Sequence, residues 1–276
     1  MRVAITGSHG LIGGALGSAL RLRGDEPVAV QRGRPDIGGA DAVVHLAGAP
    51  IAVRWTERRK REILESRVLG TRRIVEAIAS EPRPPRVLVC ASAIGFYGDR
   101  AAEELSENSR PGSDFLAGVV QQWECEARAT AARSVQLRFG IVLSPRGGAL
   151  AKMLPAFRLC AGGRLGPGSQ WMSWIALDDL VRVILFALDS DALRGPVNAV
   201  APSPVTNAEF TATLGRVLRR PAVIPVPAFA LRALFGEMAG MTMLASQRVK
   251  PSQLERAGFA FEHPTLEGAL RHQLRA

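Results

Sequence analysis

The chain has 276 residues, 47% of them hydrophobic and 22% charged, enough to bury a sizeable core as a globular protein, and no run approaches the ~18 apolar residues of a membrane span. Its net charge of +10 comes almost wholly from arginine, since lysine occurs only at 60, 152 and 250 and aromatic residues make up 5%; without helix-turn-helix or zinc-finger spacing, no nucleic-acid partner is expected. Cys90, Cys125 and Cys160 form no C-x-x-C pair, and His9, His45, His263 and His272 show no ligand spacing, which argues against a disulfide framework and predicts no metal site.

The first element sets the reading of the rest. Residues 3–14 run V-A-I-T-G-S-H-G-L-I-G-G, a strand that meets glycines at 7, 10 and 13 and then a helix. Gly7 allows a tight turn off the strand, Gly10 lets the main chain approach a pyrophosphate, and Gly13 brings the helix close to the sheet. Free N–H groups at the helix tip and its partial positive charge suit a diphosphate. With a strand before it and a helix after it, the pattern predicts a dinucleotide site. The chain opens on a strand, not on a charged-then-apolar leader, and a cytoplasmic location is expected.

Further strands are predicted at Val28–Gln31, Ala42–Ala47, Arg86–Ala91, Ser134–Arg138 and Pro196–Val200. Helices are predicted at Leu11–Arg23, Thr56–Ser80, Asp114–Ala132, Leu177–Leu188, Asn207–Leu218, Ala228–Phe235 and Leu266–Arg275. The alternation is that of βαβ units around a parallel sheet. Only nine residues separate Gln31 from Asp41, too few for a helix and a strand, so the usual third strand is expected to be missing or vestigial and the second strand to form the sheet's edge. Beyond Gly140 the composition shifts to Gly, Pro and Met. The fold class is therefore α/β, a Rossmann-like doubly wound parallel sheet with a small C-terminal α/β substrate domain. Residues 1–143 and 173–201 would form the dinucleotide-binding domain, and 144–172 and 202–276 the smaller one over the carboxyl ends of the strands.

An NAD site usually places an acid about 20 residues past the glycines, for the ribose 2′-hydroxyl. Here Arg32 stands nineteen residues after Gly13, with Arg34 close behind. A guanidinium suits a 2′-phosphate, so NADP is expected. The cluster Arg54, Arg58, Arg59, Lys60, Arg61 reads as a solvated helix face, with cofactor phosphates or a polyanion as the alternatives.

The stretches T-G-S-H-G-L-I-G (6–13), D-A-V-V-H-L-A-G (41–48), V-L-V-C-A-S-A-I-G-F-Y-G (87–98) and W-I-A-L-D-D-L-V (174–181) together resemble the extended short-chain dehydrogenase/reductase superfamily. R-W-T-E (54–57), G-S-D-F-L-A (112–117), G-G-A-L-A-K-M-L-P-A-F-R (147–158), Q-W-M-S-W-I (170–175) and Q-R-V-K-P-S-Q-L-E-R-A-G-F (247–259) look like its atypical "epimerase family" group, which ends in a small domain of unknown function. The resemblance covers nearly the whole chain and implies a Rossmann fold and NADP. It puts Gly7, Gly10, Leu11, Ile12 and Gly13 on the pyrophosphate, Arg32 on the 2′-phosphate, and Leu46, Ala47 and Gly48 along the adenosine and ribose. Glu62, Arg67 and Val142 match positions that approach the cofactor in the group, although Glu62 could equally pair with a neighbouring arginine.

Classical members of the superfamily move a proton through a Tyr and a Lys four residues apart. This chain lacks that pair. Its one tyrosine is Tyr97, and Asp114-Phe115-Leu116-Ala117-Gly118-Val119-Val120 occupies the corresponding segment. Tyr97 and Ser92, near the end of the strand that enters the active-site face, are the candidate catalytic residues; Tyr97 would need its phenol pKa lowered by Lys152 or through Ser92. The alternative is that Tyr97 packs and Ser92 caps a strand end. Trp171, Met172 and Trp174 line either an apolar substrate pocket or core. Asp178 and Asp179 read as helix-start carboxylates, and Glu209, after Thr206, as a capping partner. The function expected is an NADP-dependent oxidoreductase acting on a small carbonyl or alcohol as monomer or homodimer. A sugar-nucleotide epimerase or dehydratase, or a non-catalytic NADP(H)-binding redox sensor, are the alternatives.

Overall fold

A computed structural model describes residues 1–31, 33 and 35–275 of the protein. Six strands, β1 (Arg2–Thr6), β2 (Glu26–Val30), β3 (Ala42–His45), β4 (Val87–Ala93), β5 (Arg133–Phe139) and β6 (Gly195–Ala199), form one parallel sheet in the order β6-β5-β4-β3-β1-β2. The second strand is the edge, as the short Gln31–Asp41 interval requires. Ile37 and Ala40, in that interval, are buried in a cluster with Ala4, Val43, Ile74 and Ile78, so this short connection covers ground that a crossover helix would otherwise take.

Helices cover both faces. On one, α1 (Leu11–Leu22) and α5 (Leu177–Asp189) bury Leu16, Leu20, Leu180 and Ile184 against Val3, Ile5, Val44 and Val89. On the other, α2 (Glu57–Ser80) and α3 (Phe115–Arg128) present Ile74, Ile78, Trp123 and Ala127 to Leu88 and Cys90. In the middle of β1, most of β3 and the first half of β4, residues pointing alternately to the two covered faces are apolar on both, as suits buried parallel strands. α2 starts where Thr56 accepts the Arg59 N–H, and α3 where Asp114 accepts the Ala117 N–H, each satisfying a free first-turn donor.

A second cluster joins α4 (Gly148–Arg158), α6 (Asn207–Leu218) and α9 (Leu266–Leu274) through Leu150, Leu154, Phe157, Phe210, Leu214, Leu266 and Leu270, with Trp174 at its centre. Between α6 and α9 lie α7 (Ala228–Phe235) and the short α8 (Ser252–Arg256). Three short ladders tie these segments to the body: Ile141–Leu143 with Trp174–Ala176, Trp171–Met172 with Val205–Thr206, and Glu104–Leu105 with Arg248–Val249. Among the described residues no helix is long and apolar enough to cross a membrane.

Candidate functional site

The β1–α1 turn is built from main chain in close approach. Gly7 has φ +69, and a side chain there would press on the Ala47 nitrogen and the Leu46 carbonyl carbon at 3.1 Å. At Gly13 a β-carbon would stand 2.3 Å from the Gly7 oxygen, so only glycine lets the helix begin so close to its own loop. The Gly10 N–H donates to Gly7 O at 2.9 Å. Gly10 is the N-cap of α1 and brings no side-chain cap, and the first turn holds no acid; the helix tip keeps donors and partial positive charge for a ligand.

β3 stops at His45 because the chain then bends beneath this turn. The Leu46 and Ala47 N–H groups donate to Thr6 Oγ1 at 3.0 and 3.2 Å, and Thr6 Oγ1 lies 2.7 Å from His45 Nδ1. With its lone pairs engaged, the Thr6 hydroxyl gives its proton to Nδ1, which makes His45 a neutral imidazole; burial holds its pKa down to about 4. Leu46, Ala47 and Gly48 are thereby brought to the glycine loop. Val142 joins the same region: Gly148 backs onto its carbonyl, and Gly147 packs on Leu11.

Arg67, on α2, is half-buried beside Gly48. It donates to Ile63 O and Ala49 O, both at 3.1 Å, and lies 5.2 Å from the centroid of the Trp123 ring. None of its hydrogen bonds goes to a carboxylate, and burial draws its pKa down to about 10. Glu62 instead takes the partner role the sequence left open, accepting from Arg58 at 3.1 Å and Arg59 at 2.6 Å; the hydrogen bond from Arg59 above all, opposed by burial and helped by the bond from Arg58, pulls its pKa down. Arg32 and Arg34 lie outside the described residues.

Ser92 and Tyr97 are brought together by a buried polar network. Arg138 donates to both Glu124 carboxylate oxygens, at 2.7 and 2.8 Å, and to the Tyr97 hydroxyl at 3.0 Å. Ser92 donates to Glu124 at 2.6 Å, and Tyr97 to Asn198 Oδ1 at 2.7 Å. The expected activation of Tyr97 is not built: Lys152 bonds Ala52 O, Ser92 faces Glu124, and burial pushes the Tyr97 phenol up to about 12. A fully buried hydroxyl with its proton committed to Asn198 is a structural donor in this conformation, and Ser92 likewise spends its proton on a buried carboxylate. The first turns of α3 are apolar: Phe115, Leu116 and Val119 pack with Trp55, Ile63 and Met238.

Other candidates resolve plainly. Trp174 and Met172 are core, with Trp174 Nε1 donating to Ser203 O at 3.0 Å, while Trp171 lies under the Arg248 guanidinium. Thr206 and Glu209 form a capping box. Asp178 and Asp179 correct the reading as caps: α5 has no side-chain cap, and Asp179 accepts the Glu262 and His263 N–H groups at 2.9 Å each. The sequence predicts no metal site; Asp178, His263 and His272, which show no ligand spacing along the chain, converge with one ligand atom from each within 4.8 Å of the others. The signal was invisible in linear spacing because Asp178 lies far along the chain from both histidines.

A model described as the NAD dependent epimerase/dehydratase family matches residues 35–199, more than half of the chain, and one described as a domain of unknown function (DUF1731) matches residues 226–273. An epimerase family protein of Mycobacterium tuberculosis is 42% identical over 97% of this chain and 96% of its own length. The human epimerase family protein SDR39U1 is 37% identical over 98% of this chain and 99% of its own. The crystal structure of that human protein (isoform2) with NADPH covers 100% of this chain and 99% of its own, with 35% identity and a TM-score of 0.95. A UDP-glucose 4-epimerase from Thermotoga maritima, solved with UDP-glucose, has a TM-score of 0.80 at 16% identity, covering 100% of this chain and 99% of its own; at that identity the likeness is one of fold.

Proposed function

The chain belongs to the NAD dependent epimerase/dehydratase family, and from that premise we propose that it is an NADP(H)-dependent oxidoreductase acting on a small carbonyl or alcohol. The observation that carries the reading is the α1 tip: uncapped, free of acids, and approached so closely by Gly7 that a β-carbon at Gly13 has no room. The NADPH in the human relative's structure supports the same cofactor here.

Gly7, Gly10, Leu11, Ile12 and Gly13 would hold the diphosphate through main-chain N–H groups. Leu46, Ala47 and Gly48 would border the adenosine and ribose, Val142 would close the site beside Leu11, and Arg32, by its place in the sequence, would grip the 2′-phosphate. Arg67 is a cation without a carboxylate partner beside Gly48, suited to an anionic group. When bound, the reduced nicotinamide supplies a hydride equivalent. The chain's own part is to bind and orient. The apolar start of α3 suits the hydrocarbon part of a substrate and offers no acid, so the proton would come from solvent or from the substrate itself. Residues 1–143 and 173–201 would bind the cofactor, and 144–172 and 202–276 would cover the substrate, in a monomer or homodimer of the cytoplasm, where its three free cysteines stay reduced.

A second reading, an NADP(H)-binding redox sensor without turnover, is favoured by the committed hydroxyls of Ser92 and Tyr97. Epimerisation of a sugar nucleotide stands behind both, because transient oxidation of a hydroxyl needs a base.

Calorimetric titration of the intact protein with NADPH and NADH, followed by absorbance assays of NADPH consumption across a carbonyl series, tests the reading. We expect tighter NADPH binding, and Arg32→Ala to weaken NADPH by about 10- to 150-fold, the worth of a charged hydrogen bond, with little change for NADH. Equal losses for the two would overturn the 2′-phosphate role; failure to bind either would overturn the cofactor assignment. Binding without turnover would select the sensor.

A further inference from the structure

We propose that Asp178, His263 and His272 form a binding site for a divalent transition-metal ion of the zinc class, one that clasps the C-terminal segment to α5. The carboxylate stands in the first turn of α5, His263 in the loop before α9, and His272 in the last turn of α9. His272 Nε2 lies 2.8 Å from Asp178 Oδ2, and the two imidazole rings stack with centroids 4.2 Å apart and planes 29° apart. One nitrogen of each ring thus lies within 4.8 Å of an Asp178 carboxylate oxygen.

The arrangement leaves one atom without a partner. His263 Nε2 is buried and makes no hydrogen bond, which is costly for a polar atom unless a ligand engages it. A metal ion would take that nitrogen, replace the proton shared by His272 and Asp178, and leave a position for water. Two imidazoles and a carboxylate are the donors of zinc at ~2.0–2.2 Å, whereas magnesium and calcium prefer oxygen alone. Ligand atoms within 4.8 Å of one another come to that distance from a common centre by small rotations of the half-exposed Asp178 and His272 side chains.

The surroundings hold the ligands in place. Asp179 accepts the His263 N–H, fixing the loop's backbone, and Gln273 donates to Asp178 Oδ2 at 2.7 Å, the kind of outer partner that orients a ligating carboxylate. Arg182 is engaged by Asp179 at 3.0 Å and by Glu262 at 3.2 Å, so the nearby positive charge is already balanced. Asp178 belongs to the residues matched as 35–199, and both histidines to those matched as 226–273; an ion here would join the two regions and stabilise the folded state by binding it alone.

The test uses the tag-free, full-length protein stripped with chelator. Calorimetric titration with zinc, visible absorption on titration with cobalt, and thermal unfolding with and without zinc should show a single ion per chain and a raised midpoint. His272→Gln, half-exposed at the end of α9, should fold as the parent does by circular dichroism, bind zinc more than about 100-fold more weakly, beyond what outer-partner changes cost, and lose the rise in midpoint; His263→Ala should behave likewise. No binding at micromolar zinc, or binding that His272→Gln and Asp178→Asn leave unchanged, would overturn the proposal. Neither outcome bears on NADPH binding, which is read separately.

Discussion

Gly13→Ala is the sharpest probe of the proposed cofactor site. Its new methyl would lie 2.3 Å from Gly7 O, 2.8 Å from Ser8 Cα and 2.9 Å from Gly7 C. Carbon–oxygen contacts settle near ~3.3 Å, so the loop must retreat by about 1 Å. All three obstructing atoms are main chain, and none can turn aside as a side-chain end would. Overpacking costs about 1–3 kcal/mol, offset by the ~1 kcal/mol that alanine gains over glycine within a helix, which leaves a net loss of up to about 2 kcal/mol in folding. Binding suffers more. Displacing the turn from the α1 tip removes at least one main-chain donor to the diphosphate, and one charged hydrogen bond is worth about 1.5–3 kcal/mol, or about 10- to 150-fold in Kd. Gly10→Ala supplies the contrast: its methyl meets only Gly7 O, at 3.2 Å, so the unfolding midpoint should hold while NADPH binding falls. Calorimetry with NADPH and urea unfolding on both variants read the two quantities apart. If Gly13→Ala bound NADPH as the parent does, with an unchanged unfolding midpoint, the cradle argument would fail.

Two further outcomes follow from the buried polar groups. His45 is held neutral, its pKa brought from 6.5 to about 4 by burial. The unfolded chain takes up a proton below pH 6.5 that the folded chain refuses until about pH 4. Stability from this source is therefore whole above pH 6.5 and falls as pH drops toward 4, by about 3 kcal/mol at ~1.36 kcal/mol per unit. Urea unfolding across that range should show the slope, and His45→Gln should flatten it; an identical acid slope in the variant would refute the assignment. For Tyr97→Phe we expect a loss of about 1–3 kcal/mol for each buried partner left unsatisfied, Asn198 Oδ1 and Arg138 Nη1, with NADPH affinity unchanged. Loss of turnover at unaltered stability would instead return Tyr97 to the role of proton donor.

What the sequence disclosed was local chemistry. Helix α6 begins and ends where Thr206, Glu209 and the apolar period place it, and the glycines at 7, 10 and 13 announced a turn that the contacts at Gly7 and Gly13 explain. The edge position of β2 followed from chain length alone, since nine residues cannot build a helix and a strand. Side-chain alliances across elements were hidden. Glu124 had no nameable partner in the sequence, yet it binds Arg138 from β5 and Ser92 from β4; nothing in a helix period marks a carboxylate whose partners come from strands. Asp179 looked like a cap because it stands in a first turn, but its oxygens reach the 262–263 backbone, 83 and 84 residues along the chain. Tyr97 drew attention as the sole tyrosine, and only three-dimensional packing reveals that Asn198 and Arg138 already occupy its hydroxyl.

The bare return between β2 and β3 couples two properties that a crossover helix would keep apart. Ile37 has no exposed surface and Ala40 almost none. With these apolar side chains buried, the edge of the sheet leans on the hydrophobic interior rather than on a helix of its own. Shaving a methylene from Ile37 should therefore loosen the sheet's margin as well as its core, so filling the interior and holding the edge strand fall to the same side chain.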